Sequence, residues 1–256
     1  MLKRFLLAIL LCVAAGRAAA VDYTDIYYIP AEAGWGANVV QSDNFLFITF
    51  FIYGSDGKPT WFTGQVTRDA SGNFNGTLYS TTGTYYPLPW AGFTGGPVGT
   101  VSFQPLSPST AKLIYMVNGV GTVTKTIQRQ TLTAITVGGT YSGAQSGTYS
   151  NCGTGGTNGA YRDFFDLQVT QATNGAVTFA FIYTNFACTF SGTLNQLGQL
   201  YSVPVASYQC GGAGGLNTTA TMTEIKATAQ GVEGRFTALS AGANCREDAQ
   251  FSAVLR

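Results

Sequence analysis

Phe45–Tyr53 reads FLFITFFIY, and it is the stretch that decides the fold. Asp56-Gly57 follows it as a two-residue hairpin signal, and the chain then returns as PTWFTGQVTR, residues 59–68. Similar short runs of β-branched and aromatic residues continue along the chain, with Gly, Asn and Asp between them. No stretch after residue 20 has a helical period. The sequence therefore predicts an all-β protein.

The strand-like runs fall into two groups. About seven of them precede Gln130, and a second set follows Gly138. We therefore predict two antiparallel β-domains, residues 21–131 and 138–256, each an up-and-down barrel or a barrel-like sandwich. One larger sandwich is the alternative. The segments TFFIYG…PTWFTGQV and FAFIYTNFACTFSGTL resemble each other weakly, which is compatible with a duplication.

The strand predicted at Phe45–Tyr53 is apolar on both faces. Alternation divides it into two rows, which are Phe45, Phe47 and Phe51 on one side and Leu46, Ile48, Phe50 and Ile52 on the other. One row must face a core, and we expect the other to pack between the two domains. An oligomer interface or a lined cavity are the alternatives. The pattern disfavours an outer-membrane barrel, whose strands alternate apolar and polar residues.

Residues 1–20, MLKRFLLAILLCVAAGRAAA, have the three parts of a secretory signal peptide. Lys3 and Arg4 provide the positive start, Phe5 to Ala15 form an apolar segment too short to span a bilayer, and Ala18–Ala20 give an A-x-A cleavage site. We therefore expect the protein to be secreted or periplasmic.

Charge gives little reason to expect a charged partner. Cleavage of the signal peptide would remove three positive residues and change the formal net charge from +1 to −2. Nucleic acid and acidic membranes are therefore poor partner predictions. We also expect no transmembrane segment, because no later apolar run reaches the length of a membrane-spanning helix.

Four cysteines follow the signal peptide, namely Cys152, Cys188, Cys210 and Cys245. An even number in an exported chain indicates two disulfides, with three possible connectivities. We favour Cys188–Cys210, because these residues flank the NQLGQ turn almost symmetrically. The remaining pair, Cys152–Cys245, would then tie the first and last strands of the second domain. Since there is no C-x-x-C and no histidine, we expect no metal site.

Enzyme motifs are missing from the sequence. Without histidine there is no Ser-His-Asp or Cys-His arrangement, and no G-x-S-x-G, P-loop or dinucleotide fingerprint occurs. We therefore predict a non-enzymatic protein without a cofactor. Paired carboxylates are the one catalytic option, with a solvated strand face as the simpler interpretation of each. The candidates are Glu32, Asp163, Asp166, Glu224 and Glu233.

Aromatic residues supply the candidate binding site. In the stretch YYIPAEAGWG, Trp35 either plugs one end of a barrel with its N–H satisfied locally or contacts a ligand. Glu32 would orient that ligand or cap nearby backbone N–H groups. Trp90 lies in TYYPLPWAGF, an ordered loop that either binds or covers the core. The candidate ligand-binding residues are Tyr27, Tyr28, Glu32, Trp35, Trp61 and Trp90.

The same stretch resembles a family of secreted bacterial β-proteins without an established activity, whose first domain opens with a W-[WY]-x-P-x-E-S-G-W-G-type motif followed by Y-x-x-x-G-K-P-x-W. The matching residues are Pro30, Glu32, Gly34, Trp35, Gly36, Tyr53, Gly57, Lys58, Pro59 and Trp61. Ala33 departs from the usual serine, and Tyr27-Tyr28 replace tryptophan. The second half is similar to a cysteine-containing module of that family at Cys188, Phe190, Gly192, Gly231, Val232, Gly234, Arg235 and Phe236. The resemblance implies export and a shared β-fold, and no catalytic residue.

Together these observations predict an exported β-barrel protein that binds a small apolar molecule, a glycan or a cell-surface protein at an aromatic-lined mouth. A structural or adhesion protein that self-associates as a homo-oligomer is the alternative. A carboxylate-based glycosidase is a distant third.

Overall fold

The computed structural model describes residues 21–211, 216–240 and 245–256, so the predicted signal peptide lies outside the described residues. The described part contains strands, turns and irregular connections, with strands arranged in two antiparallel sheets. The predicted all-β fold class is therefore confirmed. Within these ranges, no helix has the length and apolar character needed to cross a membrane.

The first sheet is a closed eight-stranded barrel, in which each strand pairs with its neighbours in chain order and β1 pairs with β8. Its strands are β1 Asp25–Tyr28, β2 Gly36–Ser42, β3 Phe45–Tyr53, β4 Pro59–Arg68, β5 Phe74–Gly83, β6 Phe93–Pro105, β7 Thr110–Val117 and β8 Gly121–Arg129. The sequence predicts about seven strands here. The structure has eight because the chain before Phe45 forms two short strands.

The second sheet has the order β12-β11-β10-β9-β17-β16-β15-β14-β13, and β12 also pairs with β14, which closes it into a second barrel-like sheet. Its strands are β9 Gly139–Ser150, β10 Gly159–Gln171, β11 Ala176–Ile182, β12 Ala187–Thr193, β13 Asn195–Leu197, β14 Leu200–Cys210, β15 Leu216–Ala227, β16 Gly231–Ser240 and β17 Cys245–Leu255. Two barrel-like units are thus present, as the sequence predicts.

Each barrel is filled by its own apolar side chains. In the first barrel the inward row of β3, Leu46, Ile48 and Phe50, is fully buried. In the second barrel Phe181 is fully buried and meets the ring of Phe251 edge-on at 5.2 Å. Each barrel therefore has a core of its own. Truncation of such a buried aromatic side chain typically costs about 3–5 kcal/mol.

Both disulfides lie at the same end of the second barrel. Cys188 and Cys210 stand directly opposite each other on β12 and β14 and are bonded, which ties the strand pair that closes the sheet. Cys152, just after β9, is bonded to Cys245 at the start of β17. These are the two pairings that the sequence analysis favours.

The two ends of the first barrel differ in their surroundings. At one end, Arg129 is buried and forms an ion pair with Asp25 (Nη1–Oδ2, 3.1 Å). The backbone N–H of Gln199, from the β13–β14 turn of the second barrel, donates to the same Asp25 oxygen at 3.4 Å. The opposite end is formed by the β1–β2, β3–β4, β5–β6 and β7–β8 connections. We call it the tryptophan end, because Trp35, Trp61 and Trp90 all lie on or beside these connections.

Candidate functional site

The outward row of β3 is exposed. Phe51 pairs directly with Trp61 on β4, and the two side chains are each 50 % exposed. Phe47 pairs with Val40 on β2, and both are also exposed. The expectation that this row packs between the two domains is therefore wrong. In the closed barrel the row of Leu46, Ile48 and Phe50 points into the core, and the row of Phe47 and Phe51 points outward.

Tyr28 belongs to the same outer surface. It lies one residue beyond the last β1–β2 pair, Tyr27–Ala37, which places it beside Gly36, and Gly36 pairs with Phe51. A single cross-strand row therefore runs from Tyr28 over Gly36 to Phe51 and Trp61. We call the outward aromatic side chains of this face the platform, which consists of Tyr28, Phe45, Phe47, Phe51, Tyr53 and Trp61.

Uncharged polar side chains separate the rings of the platform. Thr49 and Thr63 form an outward pair between the Phe47 and Phe51 levels, and Gln65 pairs with Phe47. Strands β2 to β5 contain only one charged residue, Arg68, at the end of β4. Arg68 belongs to the same row of β4 as Phe62 and Val66, so the outward face offers apolar rings together with hydroxyl and amide groups, and no charged strand residue.

The second barrel provides an internal comparison. Its third and fourth strands, β11 and β12, occupy the same places in chain order as β3 and β4 in the first barrel. Both hairpins have an inward Phe–Phe pair, Phe50–Phe62 and Phe179–Phe190. The outward pairs of β11 and β12, however, are Ala176–Thr193, Thr178–Ser191, Ala180–Thr189 and Ile182–Ala187. The fold does not need aromatic residues at the outward positions.

The turn before β2 explains the two glycines that flank Trp35. Gly34 has a φ of +102°, which an L side chain rarely adopts. A Cβ at Gly36 would lie 2.9 Å from the carbonyl oxygen of Tyr27. The chain can therefore bend tightly here and place Trp35 partly over the barrel core.

Glu32, Trp35 and Lys125 form one polar cluster at the tryptophan end. Trp35 Nε1 donates to Glu32 Oε2 at 2.8 Å, and Lys125 Nζ donates to the same oxygen at 2.5 Å. The ammonium group also lies 5.4 Å from the centre of the Trp35 ring. These hydrogen bonds, from Lys125 first and Trp35 second, hold the pKa of the Glu32 carboxyl below its usual value.

This cluster favours one of the two interpretations of the motif. The indole N–H is satisfied locally and the ring packs on the core, so Trp35 fits the plug interpretation. Glu32 accepts from two side chains rather than capping the backbone. The prediction that Tyr27 contacts a ligand needs correction. Tyr27 is fully buried, and its hydroxyl donates to the carbonyl oxygen of Tyr23 at 3.0 Å, so it is a core residue.

Trp90 lies on an exposed connection between β5 and β6. Its side chain is 71 % exposed, and that of Tyr86 is 89 % exposed. The alternative that this segment is a lid over the core is therefore wrong. The structure also begins β6 at Phe93, the last residue of the TYYPLPWAGF segment that the sequence predicts to be an ordered loop.

A buried carboxylate in the second barrel was missed by the sequence analysis. Glu247 is only 3 % exposed and accepts hydrogen bonds from the hydroxyls of Tyr161, Tyr149 (3.5 Å) and Tyr208 (3.4 Å). Burial raises the pKa of Glu247, and burial together with this carboxylate raises the pKa of Tyr149 to about 12. Strict alternation along β17 could have revealed it, since Cys245, Glu247 and Phe251 share one face.

The candidate carboxylates separate into three places. Glu32 is at the tryptophan end, and Asp166 is ion-paired with Arg256 on the outside of the second barrel. The other three line one groove of about 540 Å³, and they are Asp163, Glu224 and Glu233. The expectation of a solvated strand face is wrong for Glu224, whose side chain is only 18 % exposed.

Glu224 occupies a strained position beside that groove. Its φ is +52°, and it lies where the β15–β16 pairing shifts register. Burial raises the pKa of Glu224, while the guanidinium of Arg235, 3.8 Å away, opposes that rise. In the part of the chain that the structure describes, no cluster of three or more Cys, Asp or Glu side chains could hold a metal ion. No protein-family model and no curated protein matches the chain.

Proposed function

We propose that the protein is an exported, non-enzymatic binding protein that holds a neutral glycan on the platform of its first barrel. The observation that carries the proposal is the exposed pair of Phe51 and Trp61, which the equivalent hairpin of the second barrel replaces by Ala180 and Thr189. Export is supported by the signal-peptide pattern and the two disulfides.

The chemistry of the platform favours a glycan over a small enclosed molecule. The interior of the first barrel is occupied by buried side chains, so the available aromatic surface is outside. Along β3 the backbone positions of Phe51 and Tyr53 are about 7 Å apart, and those of Phe47 and Phe51 about 14 Å apart, from the rise of a strand. Thr49 and Gln65 lie between or beside them. Such a row can stack on the apolar faces of sugar rings while hydroxyl and amide groups bond their edges.

The test is a binding measurement on a variant that replaces both rings by threonine, the residue that the second barrel has at Thr189. Phe51→Thr with Trp61→Thr should weaken binding to neutral polysaccharides, screened on an array and measured by calorimetry, by at least about tenfold. The free energy of unfolding should change by less than about 1 kcal/mol, because these are half-exposed cross-strand neighbours. Phe186→Thr, at a half-exposed position of the second barrel, is the matched control. Equal binding by both variants, or no neutral polysaccharide bound, would reject the proposal.

Self-association is a second candidate, because the Phe47–Val40 and Phe51–Trp61 pairs would also fit a second copy of the barrel. Sedimentation of the unmodified chain separates the two functions. A dimer that dissociates in the Phe51→Thr/Trp61→Thr variant would favour it, whereas a monomer at all concentrations would exclude it.

A glycosidase finds specific support in the groove that Asp163, Glu224 and Glu233 share. Glycan hydrolysis that disappears in Glu224→Gln would establish this third function. The absence of hydrolysis by the unmodified protein would exclude it.

A further inference from the structure

Strands β5 and β6 continue past the first barrel as a two-stranded arm. The last pair of β4 with β5 is Thr63–Tyr79, but the β5–β6 ladder continues for four more pairs and ends at Gly83–Phe93. On its other side, β6 pairs with β7 only as far as Gly99. A register shift just before Tyr79 accompanies the separation of the arm from β4. Four pairs correspond to an extension of about 13 Å.

The tip of the arm has a defined conformation. Thr84 Oγ1 donates to the carbonyl oxygen of Gly92 at 3.0 Å and accepts from the N–H of Ala91 at 2.9 Å. The N–H of Leu88 donates to the carbonyl oxygen of Tyr85 at 2.9 Å. The side chains that this tip presents are 60–89 % exposed, and they are Tyr85, Tyr86, Leu88, Trp90 and Phe93.

The arm and its surroundings carry no uncompensated charge. No charged residue occurs between Asp69 and Lys112, which is the whole of β5, the tip and β6. The four connections of the tryptophan end contain three charged residues, which are Glu32, Asp56 and Lys58. Asp56 and Lys58 form an ion pair with each other, and Glu32 pairs with Lys125 of β8. Electrostatic attraction to a charged partner would therefore contribute little here.

The geometry points to a lipid surface: we infer that the arm inserts its tip into the interface of an electrically neutral bilayer. Trp and Tyr are the residues enriched where the headgroups meet the hydrocarbon. The tip is convex, so it cannot enclose a small ligand as a concave site does. The interfacial layer of one leaflet is about 5–8 Å deep, so an arm of about 13 Å crosses it while the barrel stays in water. This inference goes beyond the proposed glycan function, because it uses different side chains.

The test uses phosphatidylcholine vesicles and the full secreted chain. With Trp35→Phe and Trp61→Phe, Trp90 is the only remaining tryptophan. Its fluorescence should shift to the blue on adding vesicles and should be quenched by brominated acyl chains. In a chain with all three tryptophans, Tyr86→Ser with Trp90→Ser should lower co-sedimentation about tenfold or more, since burying about 55 Å² of apolar surface is worth that factor. Phe164 is 86 % exposed on the second barrel, and the control variant Phe164→Ser should leave co-sedimentation unchanged.

Four results would overturn the inference. They are no binding to any vesicle, binding only to anionic vesicles that disappears in 1 M salt, equal loss in the tip and control variants, and tip-dependent self-association without lipid. In the last case a second copy of the chain would occupy the tip. Because Phe51→Thr/Trp61→Thr should keep its affinity for vesicles, failure of the glycan proposal and failure of this one give different patterns.

Discussion

Removing each disulfide separately should destabilise the second barrel by different amounts. Cys152–Cys245 closes a sequence separation of 93 residues, and Cys188–Cys210 closes 22. If each acts by restricting the unfolded chain, the loop-entropy relation gives about 4.7 kcal/mol for the first and about 3.4 kcal/mol for the second. The double alanine variants should therefore differ in free energy of unfolding by about 1.3 kcal/mol. Each pair contains one buried cysteine, Cys245 or Cys188, so the cavity terms are closely matched.

The assay must report the second barrel. All three tryptophans and eight of the 14 tyrosines lie before residue 131, so neither chromophore reports the second barrel alone. Urea unfolding should therefore be followed by pulsed hydrogen exchange of peptides from β9 to β17. A larger loss in Cys188→Ala/Cys210→Ala would refute the reasoning. It would mean that the covalent tie across β12 and β14 stabilises the closed native sheet more than it restricts the unfolded chain.

Three further predictions concern single side chains. Burial raises the pKa of Glu247 above the unfolded carboxyl value near about 4.3, so its contribution to stability is complete below that value and is lost as pH rises through the higher folded pKa. The urea midpoint should therefore fall with rising pH between about pH 4 and 8, and Glu247→Gln should remove this fall. The same fall in midpoint in the variant would contradict the prediction. Gly36→Ala should cost about 1–3 kcal/mol by tryptophan-monitored unfolding, because the new Cβ would meet the Tyr27 carbonyl oxygen. Arg129→Met should cost about 3–5 kcal/mol in the same assay, because it leaves the buried carboxylate of Asp25 unpaired; a loss below 1 kcal/mol would argue against that pairing.

The strands that could be predicted are those with an apolar inward row and a recognisable turn. Phe45–Tyr53 and Ala176–Ile182 are examples, and each is followed or preceded by a Gly-containing turn. Strand β9, Gly139–Ser150, was missed, because its sequence GTYSGAQSGTYS consists mostly of Gly, Ser and Thr. It forms because β10 and β17 pair with it on both sides along most of its length. Tertiary pairing, and not local propensity, specifies this strand.

The site was harder to predict than the fold, because it depends on which side of each strand faces the core. Tyr27 and Tyr28 are adjacent and alike in sequence, yet one is fully buried and the other lies on the outer row. Glu247 was missed although β17 alternates strictly, since a carboxylate is an unusual inward residue. A shift of one residue in register reverses every such assignment, and the register is set by barrel closure rather than by local sequence.

The two segments that resemble each other in sequence show this reversal directly. Aligning TFFIYG with FAFIYT matches Phe51 to Phe181 and Tyr53 to Tyr183, but Phe51 is half exposed and Phe181 is fully buried. The inward pairs Phe50–Phe62 and Phe179–Phe190 are the true structural equivalents, so the strands are offset by one residue. That offset turns an aromatic residue outward in the first barrel only. Since the second barrel closes without aromatic residues at those positions, closure of a barrel does not require the platform, and this supports the proposed contact with a glycan.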